Sequence, residues 1–369
     1  MSGRFSKNTD KIDDKPKNET SEPTKGIIGL TNLGYCCYFN SAIQNLKNVY
    51  PFTLYLLKNI GKFHKFGFAY SYCKLIANLI YQEKYDYFEP KEFFNEFQKL
   101  APIFKLWEQN DSSICIMYIL KNLEKETTKS EEPNPDIIDS LDDEGKASFK
   151  NFIYRLYKER NSYILDIFYG FQQDIYQCRK CGFIKYSFQG FSVLNIPIVT
   201  MQKQSITDLN FAFKYYQFAR LHKNDEGFIC SKCETKDILT QTKIISYPKI
   251  LIINFKRIGE KDFYNHDVYI PSELSLDKYK YELIGFIKHI GGAKSGHNIA
   301  ICKNFFDSYW YEYNDSKVKK YDLLYRNNKI DTKNGFLFFF KKLDVFETIE
   351  TQEDKNLMIK ISLELRKNK

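Results

Sequence analysis

The chain has 369 residues, 43% of them hydrophobic and 17% aromatic, with 55 basic against 46 acidic side chains and a formal net charge of +9. That is enough chain to bury a substantial core in one large domain or two or three smaller ones, and the composition is that of a globular chain, not a disordered one. No dense Lys/Arg block or nucleic-acid-binding motif accompanies the basic excess, and no apolar run approaches the roughly 20 residues that span a bilayer, so a solvated surface is favoured over a nucleic-acid or membrane interface.

The polar start "MSGRFSKNTDKIDDK" is not a signal peptide. An intracellular, reducing compartment (cytoplasm, nucleus or both) is expected, where clustered cysteines point to metal or catalysis before disulfides. Residues 1 to about 25 are polar and mixed in charge, a disordered tail. From Gly26 to about Leu120 the apolar spacing is mostly helical, as in "NSAIQNL" and "SYCKLIANLIYQ". The polar stretch "KETTKSEEPNPDIIDSLDDEGK", at about 125–146, predicts a solvated loop or insertion. After about residue 165, "FSVLNIPIV", "KILIINFKRI", "YELIGFIKHI", "HNIAICK", "SYWYEYN" and "GFLFFFKKL" are short, rich in branched and aromatic residues and separated by Gly, Asn, Asp or Pro, which predicts strands. Near the end, Leu357, Ile361 and Leu365 at i, i+4, i+8 predict a terminal amphipathic helix. A helical first half and a strand-rich second half make an α+β protein of two subdomains with a cleft between them.

Four of the nine cysteines form two pairs, "CRKC" (Cys178, Cys181) and "CSKC" (Cys230, Cys233). Two-residue spacing lets both thiolates of a pair bind one tetrahedral zinc, and two pairs close a shell of four, leaving no position for water. Such a zinc is structural. The gap between the pairs is longer than in a small zinc ribbon, so a strand pair must fill it.

Two further cysteines are adjacent, in "GLTNLGYCCYFNSAIQNL" (29–46). Phe39, Ile43 and Leu46 fall at i, i+4, i+7, which puts Cys37 in the first turn of a helix and Cys36 just before it. A thiol at a helix N-terminus meets the positive end of the macrodipole, which favours thiolate. Gly34 permits the close backbone approach an incoming peptide tail would need. A nucleophilic thiol also needs a base and a group to orient that base. Of five histidines, only His297 sits in a Gly-rich turn, "GGAKSGHNIAI". A hairpin to "SYWYEYNDSKV" would bring Asn314 or Asp315 near it, to fix the tautomer that accepts the thiol proton. His289 reads as a packed or edge residue, and His64, His222 and His266 as surface groups. Cys73, Cys115 and Cys302 lie in apolar runs and read as core thiols.

These motifs resemble the ubiquitin-specific proteases. The first is similar to their cysteine box, "YELIGFIKHIGGAKSGHNIAICKN…WYEYNDSKV" to their histidine box, and "ILIINFKRI" to the strand after their zinc-bearing fingers. "QNDSSICIMYIL" is a degraded match to the family's Gln-Gln-Asp-Ala-x-Glu-Phe-Leu, and the likeness runs from about Gly26 to Lys342. The resemblance implies a papain-like catalytic domain over 26–345: a helical thumb at about 26–165, β fingers at about 170–260 and a β-rich palm at about 165–175 and 245–345, with 346–369 a C-terminal, helical tail. It implies a monomeric thiol protease that cuts after ubiquitin's C-terminal Gly through a thioester, with ubiquitin and ubiquitinated proteins as partners and no cofactor beyond the zinc. Cys37 becomes the nucleophile, Asn32 the oxyanion donor, His297 the general base, Asn314 its orienting partner and Asp315 an assisting acid, while Gln109 and Asp111 match residues that hold the ubiquitin tail.

Four positions depart from the family pattern: Tyr35 and Cys36 replace Asn and Thr, Ile114 replaces Glu, and Asn298 replaces Tyr. None removes a group the mechanism needs, but each bears on tail affinity. Cys36 beside Cys37 also allows oxidative control, in which a sulfenate at Cys37 condenses with a neighbouring thiol. Two other readings remain open: a ubiquitin-binding pseudoprotease, and a protease for a ubiquitin-like modifier.

Overall fold

The structure is a computed structural model describing residues 25–82, 85–129, 141, 143–222, 229–257, 264–292, 295–323, 325–326, 329–330, 332, 334–343 and 351–367. The expected N-terminal tail, 1 to about 25, lies almost wholly outside them.

The N-terminal half is helical: α1 (Cys37–Lys47), α2 (Tyr50–Lys58), α3 (Phe68–Ile80), α4 (Lys91–Leu100), α5 (Ser112–Glu126), α6 (Asp143–Arg160) and α7 (Tyr163–Phe168), with β1 (Gly29–Leu30) and β2 (Tyr87–Phe88) forming a small parallel pair among them. The predicted loop at 125–146 is shorter than expected. Helix α5 runs to Glu126 and α6 begins at Asp143, with acidic Asp143 and Glu144 at its N-terminal end, where the dipole favours them. Most of the stretch between lies outside the described residues.

Two sheets follow. The first is antiparallel, in the order β4 (Ile184–Phe191), β3 (Gly170–Cys178), β7 (Ile238–Ser246), β6 (Arg220–His222). The second is larger. Its order is β14 (Lys317–Lys320), β13 (Trp310–Asn314), β12 (Ser295–Lys303), β11 (Tyr279–Gly292), β17 (Gly335–Lys342), β8 (Ile250–Lys256) and β5 (Leu194–Pro197), with β10 (Glu273–Leu276) also pairing β11. A small sheet joins β9 (Ile270–Pro271), β16 (Lys329–Ile330) and β15 (Tyr325–Arg326), and α8 (Leu209–Tyr216) and α9 (Gln352–Lys367) complete the elements.

The large sheet is covered on both faces, which is why its strands read as unbroken apolar runs instead of alternating. Ile250, Ile252, Leu337 and Phe339 join the core of the helical half. Their neighbours Leu251, Ile253, Phe255, Phe338 and Phe340 pack the other way, with Leu209, Ala212 and Phe213 of α8. Helix α1 lies inside the molecule, with every residue from Cys37 to Lys47 buried. Its polar side chains serve neighbouring backbone: Gln44 Nε2 donates to the Ile28 carbonyl at 2.8 Å, and Lys47 Nζ to the Gly26 carbonyl at 2.6 Å.

The terminal helix exists as α9, but its buried stripe is centred one residue further along than the spacing suggests. Met358 and Ser362 are buried, while Leu357, Ile361 and Leu365 are half-exposed. Ser362 is tolerated there because its hydroxyl donates to the Met358 carbonyl at 2.7 Å. Among the described residues, no helix is long and apolar enough to cross a membrane.

Candidate active site

Cys37 is the first residue of α1 and Cys36 its N-cap, with no side chain capping the helix and no acidic residue in its first turn. The dipole end therefore faces the Cys37 thiol with no carboxylate of the helix's own first turn opposing it. Cys36 is fully buried, and its Sγ donates to the Gly34 carbonyl at 3.2 Å. Burial, with the neighbouring Cys37 and Asp315, pushes its thiol up to about 12. It is a protonated donor, the role a Thr hydroxyl would fill at that position, and a poor partner for oxidative chemistry.

His297 stands near the start of β12, half-buried, with the Cys37 thiol beside its ring. Its Nε2 lies 2.7 Å from Asn314 Oδ1, at the end of β13, which leaves Nδ1 for the sulfur. The neighbouring Cys37 thiol pushes the imidazole up to about 9 against the pull of burial, with the Asn314 bond and the charges of Cys37 and Asp315 adding to the rise. A thiol and an imidazole so placed can exchange one proton and stand as thiolate and imidazolium.

Asp315 comes no nearer than 3.8 Å to His297 Nε2, so Asn314 is the direct partner of the two. Its carboxylate instead receives Asn40 Nδ2 at 2.8 Å and Asn32 Nδ2 at 2.9 Å. Asn32 Oδ1 accepts the backbone N–H groups of Gly34 and Cys36 at 3.0 and 2.9 Å. The Asn32 amide is thus oriented from both ends beside the loop that leads into Cys37, with one of its two N–H groups used by Asp315. Cys37, as the first helical residue, offers a backbone N–H that the helix itself does not use.

Gln109 bridges the two halves. Its Nε2 donates to the Gly296 carbonyl at 2.8 Å, and its Oε1 accepts the Gly296 N–H at 3.2 Å, one residue from His297. Asp111 is the exposed N-cap of α5 and accepts the Ser113 N–H at 2.6 Å. Ile114, one turn on, is 42% exposed. Gly34 takes φ +120°, but the close neighbour its missing side chain admits is the Trp107 ring, 2.9 Å from where a Cβ would stand. Trp107 and Tyr35 both hold positive φ, at 68° and 53°, and meet edge to face, forming an exposed aromatic lip beside Cys37.

The four paired cysteines also converge. The sulfurs of Cys178, Cys181, Cys230 and Cys233 lie within 4.8 Å of one another, with Cys178 to Cys233 and Cys181 to Cys230 at 3.6 Å. A tetrahedron with zinc–sulfur bonds near 2.3 Å has edges of about 3.8 Å, so the set fits such an ion. Each pair sits in the same turn. The N–H of Cys178 bonds the Phe183 carbonyl and that of Gly182 returns to Cys178, while Cys230 pairs with Thr235 and Glu234 in the same register. Strands β3 and β7, joined at Cys178 and Ile238, carry the two turns together.

Two features escape a reading of single motifs. Asn40, one turn after Cys37 on the same helix, reaches Asp315 and the carbonyls of Leu30 and Thr31; its i+3 spacing from Cys37 was the available signal. His266 is not a free surface group: it is half-buried, with Nε2 3.2 Å from the Ile206 carbonyl. His64 is exposed, and Cys73, Cys115 and Cys302 are buried.

The family description "Ubiquitin carboxyl-terminal hydrolase" matches residues 28–340. Ubiquitin carboxyl-terminal hydrolase 2 of Rattus norvegicus is 26% identical over 350 residues, covering 87% of this chain and 55% of the relative. Ubiquitin carboxyl-terminal hydrolase 21 of Rattus norvegicus is 24% identical, over 89% of this chain and 64% of its own. The chain therefore spans little more than half the length of the first of these relatives. Among solved structures, the SAGA Ubp8/Sgf11/Sus1/Sgf73 DUB module bound to ubiquitin aldehyde matches with a TM-score of 0.62 and 19% identity, over 88% of this chain and 72% of that one. The same module bound to monoubiquitin gives 0.64 and 18%, with the same coverage. At those identities the structures speak for the shared fold, and the match over residues 28–340 speaks for descent. By that match the chain belongs to the ubiquitin carboxyl-terminal hydrolase family.

Proposed function

We propose that the chain is a thiol-dependent deubiquitinase that hydrolyses the isopeptide or peptide bond after the C-terminal glycine of ubiquitin. The observation that carries this is the His297 imidazole, hydrogen-bonded to Asn314 on one side and standing beside Cys37 at a helix N-terminus on the other. In this reading Cys37 thiolate attacks the carbonyl carbon, and its electron pair moves onto the oxygen. The Cys37 N–H and the second N–H of Asn32 receive that charge, each donor worth about 3–4 kcal/mol. His297 gives its proton to the leaving amine as the carbon–nitrogen bond breaks, leaving a thioester. Water then loses a proton to His297 and attacks the thioester, releasing the carboxylate and restoring the thiol. Asp315 assists by holding Asn32, and Gln109 and Asp111 flank the tail, where an exposed carboxylate suits basic residues.

The division into thumb, fingers and palm is part of the same proposal, with the two-sheet architecture and the helical half as its support. So is zinc. Cys178, Cys181, Cys230 and Cys233 would hold one ion, which supplies a cross-link at the tip of the β3–β7 sheet and no step of the reaction. Ubiquitinated proteins as substrates, a monomeric state and an intracellular site of action belong to this proposal too.

The test is incubation with ubiquitin carrying a C-terminal thiol-reactive group. Covalent labelling is expected, lost in Cys37→Ala and retained in Cys36→Ser. Tight binding without labelling would replace the enzyme with a scaffold. Labelling only by the probe of a ubiquitin-like modifier would change the substrate, an outcome to which the apolar Ile114 beside Asp111 gives specific weight.

A further inference from the structure

Asn298 follows His297 on β12, and successive strand residues face opposite sides, so it points away from the sulfur. It pairs across the sheet with His289 on β11. His289 Nδ1 lies 2.7 Å from Asn298 Oδ1, and His289 Nε2 lies 3.0 Å from the Gly292 carbonyl. The ring is packed edge-on to Phe336 and fills the space over Gly296, where any Cβ would overlap it. At its other end the Asn298 amide donates through Nδ2 to Ser112 Oγ at 3.0 Å. Ser112 opens α5 and donates in turn to the carbonyl of Tyr38 at 3.1 Å, with Ser41 at its side. Both Asn298 and Ser112 are buried, where a broken polar contact is expensive. The chain of bonds therefore starts one residue from His297 and ends one residue from Cys37.

We propose that His289 is a positioning residue that, through Asn298 and Ser112, sets the separation of the Cys37 sulfur and the His297 imidazole. Asn298, a departure from the family pattern, is the joint of this relay: an amide that accepts from the imidazole on one side and donates to the hydroxyl on the other. His289 holds the amide in that orientation by donating from Nδ1, and its ring stands between Asn298 and the Gly292 carbonyl. The inference rests on Cys37 and His297 as nucleophile and base, but its test does not need ubiquitin.

The readout is the rate at which iodoacetamide alkylates Cys37 in the full chain, mapped by peptide mass spectrometry across the pH range where a free thiol titrates, near 8.5. His289→Ala and Asn298→Ala should each slow alkylation at neutral pH by about tenfold and move the profile toward that of a free thiol, since misplacements of an ångström weaken such pairs by this much or more. The double variant should be no slower than the slower single, because both cut one relay. Folded single variants with the parent profile, or losses that multiply in the double, would overturn the proposal. Should the alanine variants not fold, Ser112→Ala removes a single hydroxyl at the far end, and an unshifted profile at unchanged melting temperature overturns it equally. The ubiquitin probe judges the enzyme reading apart: shifted variants of a chain the probe never labels would uphold the relay and reject the deubiquitinase.

Discussion

At the scale of single residues, the site separates two adjacent thiols by environment. Cys36 is sealed and donates its proton to a carbonyl, while Cys37 meets a helix dipole and an imidazole. Cys36→Ser should keep activity within about threefold, because a hydroxyl makes the same bond, whereas Asn314→Ala should lower kcat by about 10- to 100-fold with KM little changed, since it frees the ring of the base. Hydrolysis of a fluorogenic ubiquitin amide measures both. The His297 shift also has a sign. Its folded value, about 9, lies above the ordinary 6.5, so the stability it contributes is complete below 6.5 and is lost as pH rises through about 9. Melting curves of the parent and His297→Gln should therefore differ most at acidic to neutral pH and converge by about pH 9–10. Cys37 and His297 were legible because their signals are local: helical spacing after one, glycines around the other. Asp315 was legible only as an approximate neighbour, since its bonds to Asn32 and Asn40 join segments far apart in the chain.

At the scale of elements, the large sheet and the cysteine turns make opposite kinds of stability. In "GFLFFFKKL", Phe338 and Phe340 face α8 while Leu337 and Phe339 face the helical half, so the run predicts a strand without revealing that two cores share it. Phe338→Ala should cost about 3–5 kcal/mol in urea denaturation, and Lys319→Ala on exposed β14 under about 0.5. At the cysteine tip, the buried apolar set among the described residues is Cys178, Cys230 and Ile238, with Tyr176, Cys181 and Cys233 half-covered beside them. So small a core gives the proposed ion its role as the cross-link at that end. A strong chelator, or Cys230→Ser, should release one zinc per chain and expose the tip to proteolysis while the large sheet stays folded; retention of protease resistance after zinc removal would refute this. The two pairs were readable from spacing alone, because thiolate geometry needs nothing outside the motif. Helix α8 and most of α6 were not read in advance: tertiary packing on the sheets, more than any caps legible in the sequence, decides them.

At the scale of the whole molecule, the two ends of the described chain close on the same body. Lys47 of α1 holds the Gly26 carbonyl, and α9 docks by Met358 against the helical core, with Arg366 on Gln82 at 2.9 Å and Asp354 on Lys58 at 2.6 Å. A helix read from sequence as part of a tail is thus a wall of the molecule. Its apolar spacing was visible, but the partner surface, assembled from α2 and α3, was not.

The burial of α1 along its full length has a dynamic consequence. A rod enclosed on all sides cannot swing its leading sulfur toward an arriving substrate, so accommodation falls to the rims: Gly296 at the start of β12 and the Gln109 arm laid across it. In hydrogen–deuterium exchange, the amides of 40–47 should be among the last to take up deuterium and those of Gly296 and Gln109 among the first, and occupancy of the groove should slow the second set alone.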